Sequence, residues 1–294
     1  MREVRILCSG VIGLMFAAGT AAADRTMVVL LDATGSMQTT RCDNSLSRFD
    51  QSKLDAADRV TFAAMETGGL SGVAVFKFSG SGTGIVAETA GFVTPFDAVT
   101  AINNATVTSD LTPLANAMCS VIDTARASGS GATTTRFLEV FSDGGENNSV
   151  GAPCAGPYST TNSPPFDAGP PASWQNLVYE RTTNPLPAVT VDATLYHNET
   201  GCPLLAARID PETAALTAAG RQAPALSAPA TDVDFFSALA TATGGNFTDV
   251  VDSAPVPVIA DLDGNFVVDR NDAILLARPG AYSVSVARRT AGAG

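Results

Sequence analysis

An α/β fold built on a doubly wound, mostly parallel sheet is predicted by three features of the sequence. Apolar, β-branched runs alternate with amphipathic helical patterns along most of the chain. The first run, VVLL at 28–31, is apolar at every position, as a strand buried on both faces should be. That run ends in Asp32, with hydroxyls following at Thr34 and Ser36. Oxygen groups therefore collect beyond the carboxyl end of a strand, where open α/β sheets bind their ligands.

The elements follow in order. TMVVLLD (26–32) reads as a strand, and SRFDQSKLDAADRVTFAAMETGG (47–69) as an amphipathic helix with a glycine stop. SGVAVFKFSG (71–80) and GIVAETAGF (84–92) read as two strands joined by a Gly/Ser hairpin, which makes the second an antiparallel edge. TPFDAVTAINNA and TPLANAMCSVIDTARA read as helices, each opened by a threonine. RFLEVFSDG (136–144) is a buried strand, followed by a short helix around Trp174 and the strand AVTVDATLY (188–196). The helix DVDFFSALATATGG and the strand NFTDVV close the pattern. Residues 151–172 and 200–230, rich in Pro, Ala and Gly, read as long surface insertions. GSGTG at 80–84 joins two strands and opens no helix, so it is a turn rather than a phosphate-binding loop.

The 294 residues carry a net charge of −12, which excludes nucleic-acid binding through phosphate contacts, since that needs lysine and arginine. The first 23 residues have a short basic start, an apolar run and AAA before Asp24, the pattern of a secretory signal peptide cleaved after Ala23. No other segment is apolar enough to span a bilayer, and no hydrophobic sorting helix closes the chain, so a secreted (extracellular or periplasmic) protein is expected. Cys42, Cys119, Cys154 and Cys202 would remain after cleavage, enough for two disulfides in three connectivities. Cys119 falls within a predicted helix and reads as a buried thiol. Cys42 and Cys154 follow the first and fourth strands, and are expected to pair and brace that end of the sheet. Asn-x-Ser/Thr sites occur at Asn104, Asn147, Asn198 and Asn246.

Asp143, in FSDGGENNS, ends a second strongly apolar strand, and Thr112, in SDLTPLANAM, stands at a helix start between the two. Each carboxylate alone could merely cap a strand or a helix. The ordered set of Asp32-Ala33-Thr34-Gly35-Ser36, then Thr112, then Asp143-Gly144 resembles the metal-ion-dependent adhesion site of the von Willebrand factor A (VWA) domain, with Thr34 in place of the first serine. The resemblance runs over 26–252, leaving the two insertions unmatched. It implies a six-stranded Rossmann-like sheet of order 3-2-1-4-5-6, with Asp32 and Asp143 on adjacent strands. It also implies a magnesium or manganese ion held by Asp32, Thr34, Ser36, Thr112 and Asp143, its open position filled by a carboxylate from a protein partner. The donors suit this ion, because magnesium prefers hard oxygen ligands in an octahedron and keeps waters where carboxylates are few. Gly35 is expected to let the backbone turn sharply.

A second oxygen-rich stretch, DLDGNFVVDRND, occupies 261–272. Asp261, Asp263, Asn265, Asp269 and Asp272 stand at positions 1, 3, 5, 9 and 12 of a twelve-residue calcium loop, with the Val267 carbonyl at position 7. AILLAR is expected to form the following helix. The segment 253–280 resembles one repeat of a type I dockerin, a relative of the EF-hand, which implies calcium. Phe266 stands where such loops usually carry glycine, and one repeat where dockerins have two argues against cohesin binding. VIADLDGN also resembles the nucleophile motif of haloacid-dehalogenase-type phosphatases, but too little chain follows for that fold. Residues 281–294 read as a tail.

Catalysis is not expected. His197 is the only histidine, nothing pairs it with a nucleophile, and no Gly-x-Ser-x-Gly elbow occurs. The sequence favours a secreted binding module that meets a protein ligand through a divalent ion. The alternative is a non-catalytic part of an extracellular polysaccharide-degrading assembly.

Overall fold

The computed structural model describes residues 24–41, 46–80, 84–108, 111–129, 134–151, 153–184, 187–198, 229–252, 256–259 and 273–276. Six strands form one sheet: β1 (Arg25–Asp32), β2 (Gly72–Phe78), β3 (Ile85–Ala87), β4 (Thr135–Ser142), β5 (Thr190–Asn198) and β6 (Phe247–Asp252). Their order is β3-β2-β1-β4-β5-β6, the doubly wound order expected from the sequence. All neighbours run parallel except the β2–β3 edge pair, which is antiparallel as the 80–84 hairpin requires.

Among the described residues, five helices cover the two faces: α1 (Arg48–Met65), α2 (Pro95–Asn104), α3 (Leu114–Ala127), α4 (Trp174–Thr183) and α5 (Pro229–Thr243). Alternate residues of β1 serve opposite cores, as the period of a strand dictates. Val28 and Leu30 pack with Leu114, Met118 and Ile122 of α3, Trp174 of α4 and Phe235 and Leu239 of α5. Met27, Val29 and Leu31 pack with Phe49, Ala56 and Val60 of α1 and Ile102 of α2. This two-sided burial is why the run from 27 to 31 is apolar throughout.

Helix starts follow capping chemistry in three cases. Ser47, Thr94 and Ser173 each accept a hydrogen bond from the backbone N–H three residues on. α3 differs from the expectation: it starts at Leu114 after Pro113, with no side-chain cap, so Thr112 is left for another task.

The 153–172 stretch holds no helix or strand, yet it sends Cys154 and Phe166 into the α3–α5 core. Cys154 bonds Cys119 of α3, 35 residues earlier. This corrects two expectations: Cys119 is not a free thiol, and Cys154 does not pair with Cys42, which lies outside the described residues. The physical reason is that the later part of the loop after β4 lies over the first turns of α3, where the Cys154 N–H donates to Asn116 Oδ1 and its sulfur reaches Cys119.

Residues 1–23, most of the 200–230 insertion and the calcium-loop positions Asp261, Asp263, Asn265, Val267, Asp269 and Asp272 also lie outside the described residues. The helix expected of AILLAR is corrected. Ala273–Leu276 is a strand, β8, paired antiparallel with β7 (Val256–Ile259). A four-residue apolar run carries no periodicity that separates helix from strand, and here the β-branched partner VPVI decides. No helix among the described residues is long and apolar enough to cross a membrane.

Candidate metal centre

β1 and β4 are neighbours in register, with Leu31 opposite Phe141, so Asp32 and Ser142 stand side by side and Asp143 follows at once. Asp32 is fully buried. Its Oδ1 accepts from the Thr34 backbone N–H at 3.0 Å, the local turn that short Asx side chains favour, and its Oδ2 accepts from Ser142 Oγ at 2.6 Å. Thr34 Oγ1 and Ser36 Oγ hydrogen-bond each other at 3.1 Å, and Ser36 Oγ donates to Asp143 Oδ1 at 2.9 Å. The chain therefore joins four of the five expected ligands in one unbroken hydrogen-bonded path.

Gly35 does not act as expected. Its φ of −63° and ψ of −35° are ordinary right-handed helical values, and a single 3-10 turn (Ser36–Gln38) follows. That turn is what aims Ser36 back toward Asp143. The backbone freedom of glycine is used instead at Gly144 and Gly145, with φ of +84° and +82°.

Thr112, the fifth expected ligand, is fully buried just before α3. Its backbone is tied both ways to the loop after Asp143: Thr112 N–H donates to Asn147 Oδ1 at 3.0 Å, and Asn147 N–H donates to the Thr112 carbonyl at 3.1 Å. Glu146 completes this splice. Its carboxylate accepts from the N–H of Ala115 in α3 at 2.6 Å, from the N–H of Asn148 and Ser149, and from Ser149 Oγ. Burial pushes the Glu146 carboxyl up, and these donors oppose the shift.

Burial also holds the Asp32 carboxyl well above the usual carboxylate range, and the neighbouring Asp143 charge adds to this. Two buried carboxylates facing each other create a demand for positive charge. One part of it is met by Arg48, whose Nη1 donates to Asp143 Oδ2 at 2.7 Å. Asp232 of α5 stands on the far side, accepting from Gly145 N–H at 3.1 Å, its carboxyl pushed up to about 6, chiefly by burial.

Ser142, Arg48, Glu146, Asn147 and Asp232 were missed by sequence reasoning. Arg48 alone left a readable sign, since a cation in the first turn of a helix opposes the helix dipole. The others sit at ordinary strand-end, loop and helix positions.

Among the described residues, no three His, Cys, Asp or Glu side chains gather as a metal-binding group. Any ion here would rest on two carboxylates and three hydroxyls. That set fits a hard divalent cation: it is all oxygen, it stands at strand ends, and its two carboxylates are buried side by side. His197 is engaged elsewhere, its Nδ1 lying 2.9 Å from Asp249 Oδ1 on the neighbouring strand.

No protein-family model matches the chain, and no curated protein does. Several solved structures are similar. The VWA domain of SpRpn10 shares 9% identity, over 79% of this chain and 89% of that one, with a TM-score of 0.45. The BatB protein from Bacteroides thetaiotaomicron shares 12%, over 78% and 91%, with a TM-score of 0.44. Proximal thread matrix protein 1 from the mussel byssus, with a zinc-occupied MIDAS motif, shares 15%, over 60% of this chain and 39% of that one, with a TM-score of 0.41. Likenesses of this degree carry no argument about function.

Proposed function

We propose that this chain is a secreted binding module of the VWA type, which holds one magnesium or manganese ion through Asp32, Thr34, Ser36, Thr112 and Asp143 and offers it to a carboxylate of a protein partner. The observation that carries this reading is the hydrogen-bonded path from Asp32 through Ser142, and from Thr34 through Ser36 to Asp143, at the carboxyl ends of two adjacent central strands. Neutral hydroxyl donors leave a bound ion short of negative charge, and so able to take a further anionic ligand. We read the role as binding rather than catalysis, with the two carboxylates and three hydroxyls serving the ion. The net charge of −12 speaks against nucleic acid as the partner. We also read 261–272 as a weak calcium site, on ligand spacing alone; the following strand β8 gives no support for dockerin-type attachment.

The test is a manganese titration, with a pull-down from the native cell surface in magnesium and in chelator. The parent chain should bind the ion and recover a protein partner only when the ion is present. Asp32→Ala should lose both while keeping the far-ultraviolet circular dichroism of the parent. Partner recovery that survives chelator, or survives in Asp32→Ala, overturns the reading.

A further inference from the structure

Arg48 is out of place by local rules. It is the first residue of α1, directly after the Ser47 cap, where the helix dipole favours an anion. It is also 6% exposed, and arginine is almost never so buried without a partner that compensates for the lost water. Its compensation at the site is Asp143, at 2.7 Å, in a pair whose side chains are 8% and 3% exposed. A helix start that breaks two preferences at once, in order to place a cation on a candidate metal ligand, marks that cation as part of the site.

The charges around it explain what it does. Asp32 and Asp143 stand together at the strand ends, the Asp143 charge raising the Asp32 carboxyl, and Asp143 and Glu146 both raise the carboxyl of Asp232 from α5. Among these groups, Arg48 brings a positive charge to Asp143. Both oxygens of Asp143 are engaged, Oδ1 by the Ser36 hydroxyl and Oδ2 by the guanidinium. A divalent ion at the same carboxylate would have to share it with a fixed positive charge, which costs affinity by simple repulsion.

We propose that Arg48 is a resident counter-cation of the metal centre: it holds the site together when no ion is bound, and it competes with the ion for Asp143, which keeps the ion exchangeable. This rests on the metal reading above. The residue acts through Asp143 and is a positioning residue, with a direct consequence for affinity. A centre built this way keeps its shape through cycles of metal loss, because the guanidinium stays on Asp143 when the ion leaves.

The experiment uses the full chain and the variants Arg48→Gln, Arg48→Lys and Asp143→Asn. Manganese affinity is read by electron paramagnetic resonance of the free ion, and thermal midpoints are read in chelator and in saturating manganese. Arg48→Gln should bind manganese about tenfold more tightly than the parent, the scale expected for removing one fixed charge near a dication. Its midpoint in chelator should fall by several degrees, and manganese should restore most of that loss. Arg48→Lys, which keeps the charge, should stay near the parent in affinity, and in the Asp143→Asn background Arg48→Gln should change little. If Arg48→Gln does not fold in chelator, recovery on refolding with manganese supports the proposal, and failure to recover overturns it. Manganese affinity that is unchanged or weaker in Arg48→Gln, with the parent binding normally, overturns the role of Arg48 alone. A parent that binds no manganese overturns the metal reading and this inference together.

Discussion

Gly144 stands against Asp232: a Cβ on Gly144 would lie 2.8 Å from Asp232 Oδ2, at a backbone φ of +84°. The glycine after Asp143 is thus required twice, once by backbone conformation and once by the close approach of α5. Gly145, with φ of +82°, has nothing within 4 Å of such a Cβ. The pair separates strain from contact. Gly145→Ala should cost about 1–2 kcal/mol, the penalty of a left-handed side chain. Gly144→Ala should cost about 1–3 kcal/mol more, from overpacking. Adding Asp232→Ala should recover part of the overpacking, since the Cβ of residue 232 stays 3.2 Å away, and leave the strain. Urea midpoints of these three variants, of Asp232→Ala alone and of the parent check this; equal costs at the two glycines would show that the Asp232 contact is immaterial.

Glu146 predicts a larger effect than its place in a loop suggests. Truncation to alanine leaves the N–H groups of Ala115, Asn148 and Ser149 without their acceptor. A loss of about 2–4 kcal/mol follows, from a broken network of buried donors. Manganese affinity should fall as well, because the splice between Thr112 and the Asp143 loop loosens. Chemical denaturation and metal titration of Glu146→Ala measure the two effects, and a variant as stable as the parent would refute the anchoring role.

The Cys119–Cys154 bridge closes a loop over a separation of 35 residues. Chain entropy assigns such a loop about 3–4 kcal/mol of stabilisation. Mass mapping of the unreduced protein should yield the Cys119–Cys154 peptide. Cys154→Ser should lower the urea midpoint accordingly, with manganese affinity reduced through the loop that carries Glu146.

Glu139 predicts a pH dependence away from the metal centre. It is buried on β4 opposite Asp192 of β5, and its carboxyl is pushed up to about 8, first by burial and then by the Asp192 charge and hydrogen bond, with Arg59 opposing. The folded-state pKa lies above the unfolded value near 4.5, so the folded chain holds a proton that the unfolded chain has released. The contribution to stability is full below about pH 4.5 and is lost as pH rises toward about 8, by an amount on the order of a few kcal/mol. Thermal midpoints from pH 5 to 9 should decline, and Glu139→Gln should flatten that decline. A parent profile identical to that of Glu139→Gln would show that the proton is not shared as described.

What the sequence determined by itself are the features whose causes are local or periodic. An all-apolar run at 28–31 must be covered on both faces, helix-period segments must cover it, and a Gly/Ser turn at 80–84 returns the chain antiparallel; the order of the six strands was implied by the resemblance carried by Asp32, Thr34, Ser36, Thr112 and Asp143. The spacing of Asp32, Thr34 and Ser36 is local too, and their mutual hydrogen bonds form within five residues. Contacts between loops distant along the chain were decided by tertiary structure. Arg48 meets Asp143 across 95 residues, Gly145 meets Asp232 across 87, and Cys154 finds Cys119 rather than Cys42, because strand order and helix placement set which loops share one end of the sheet. The AILL run belongs with them: its own four residues fit helix or strand equally, and pairing with Val256–Ile259 made it a strand.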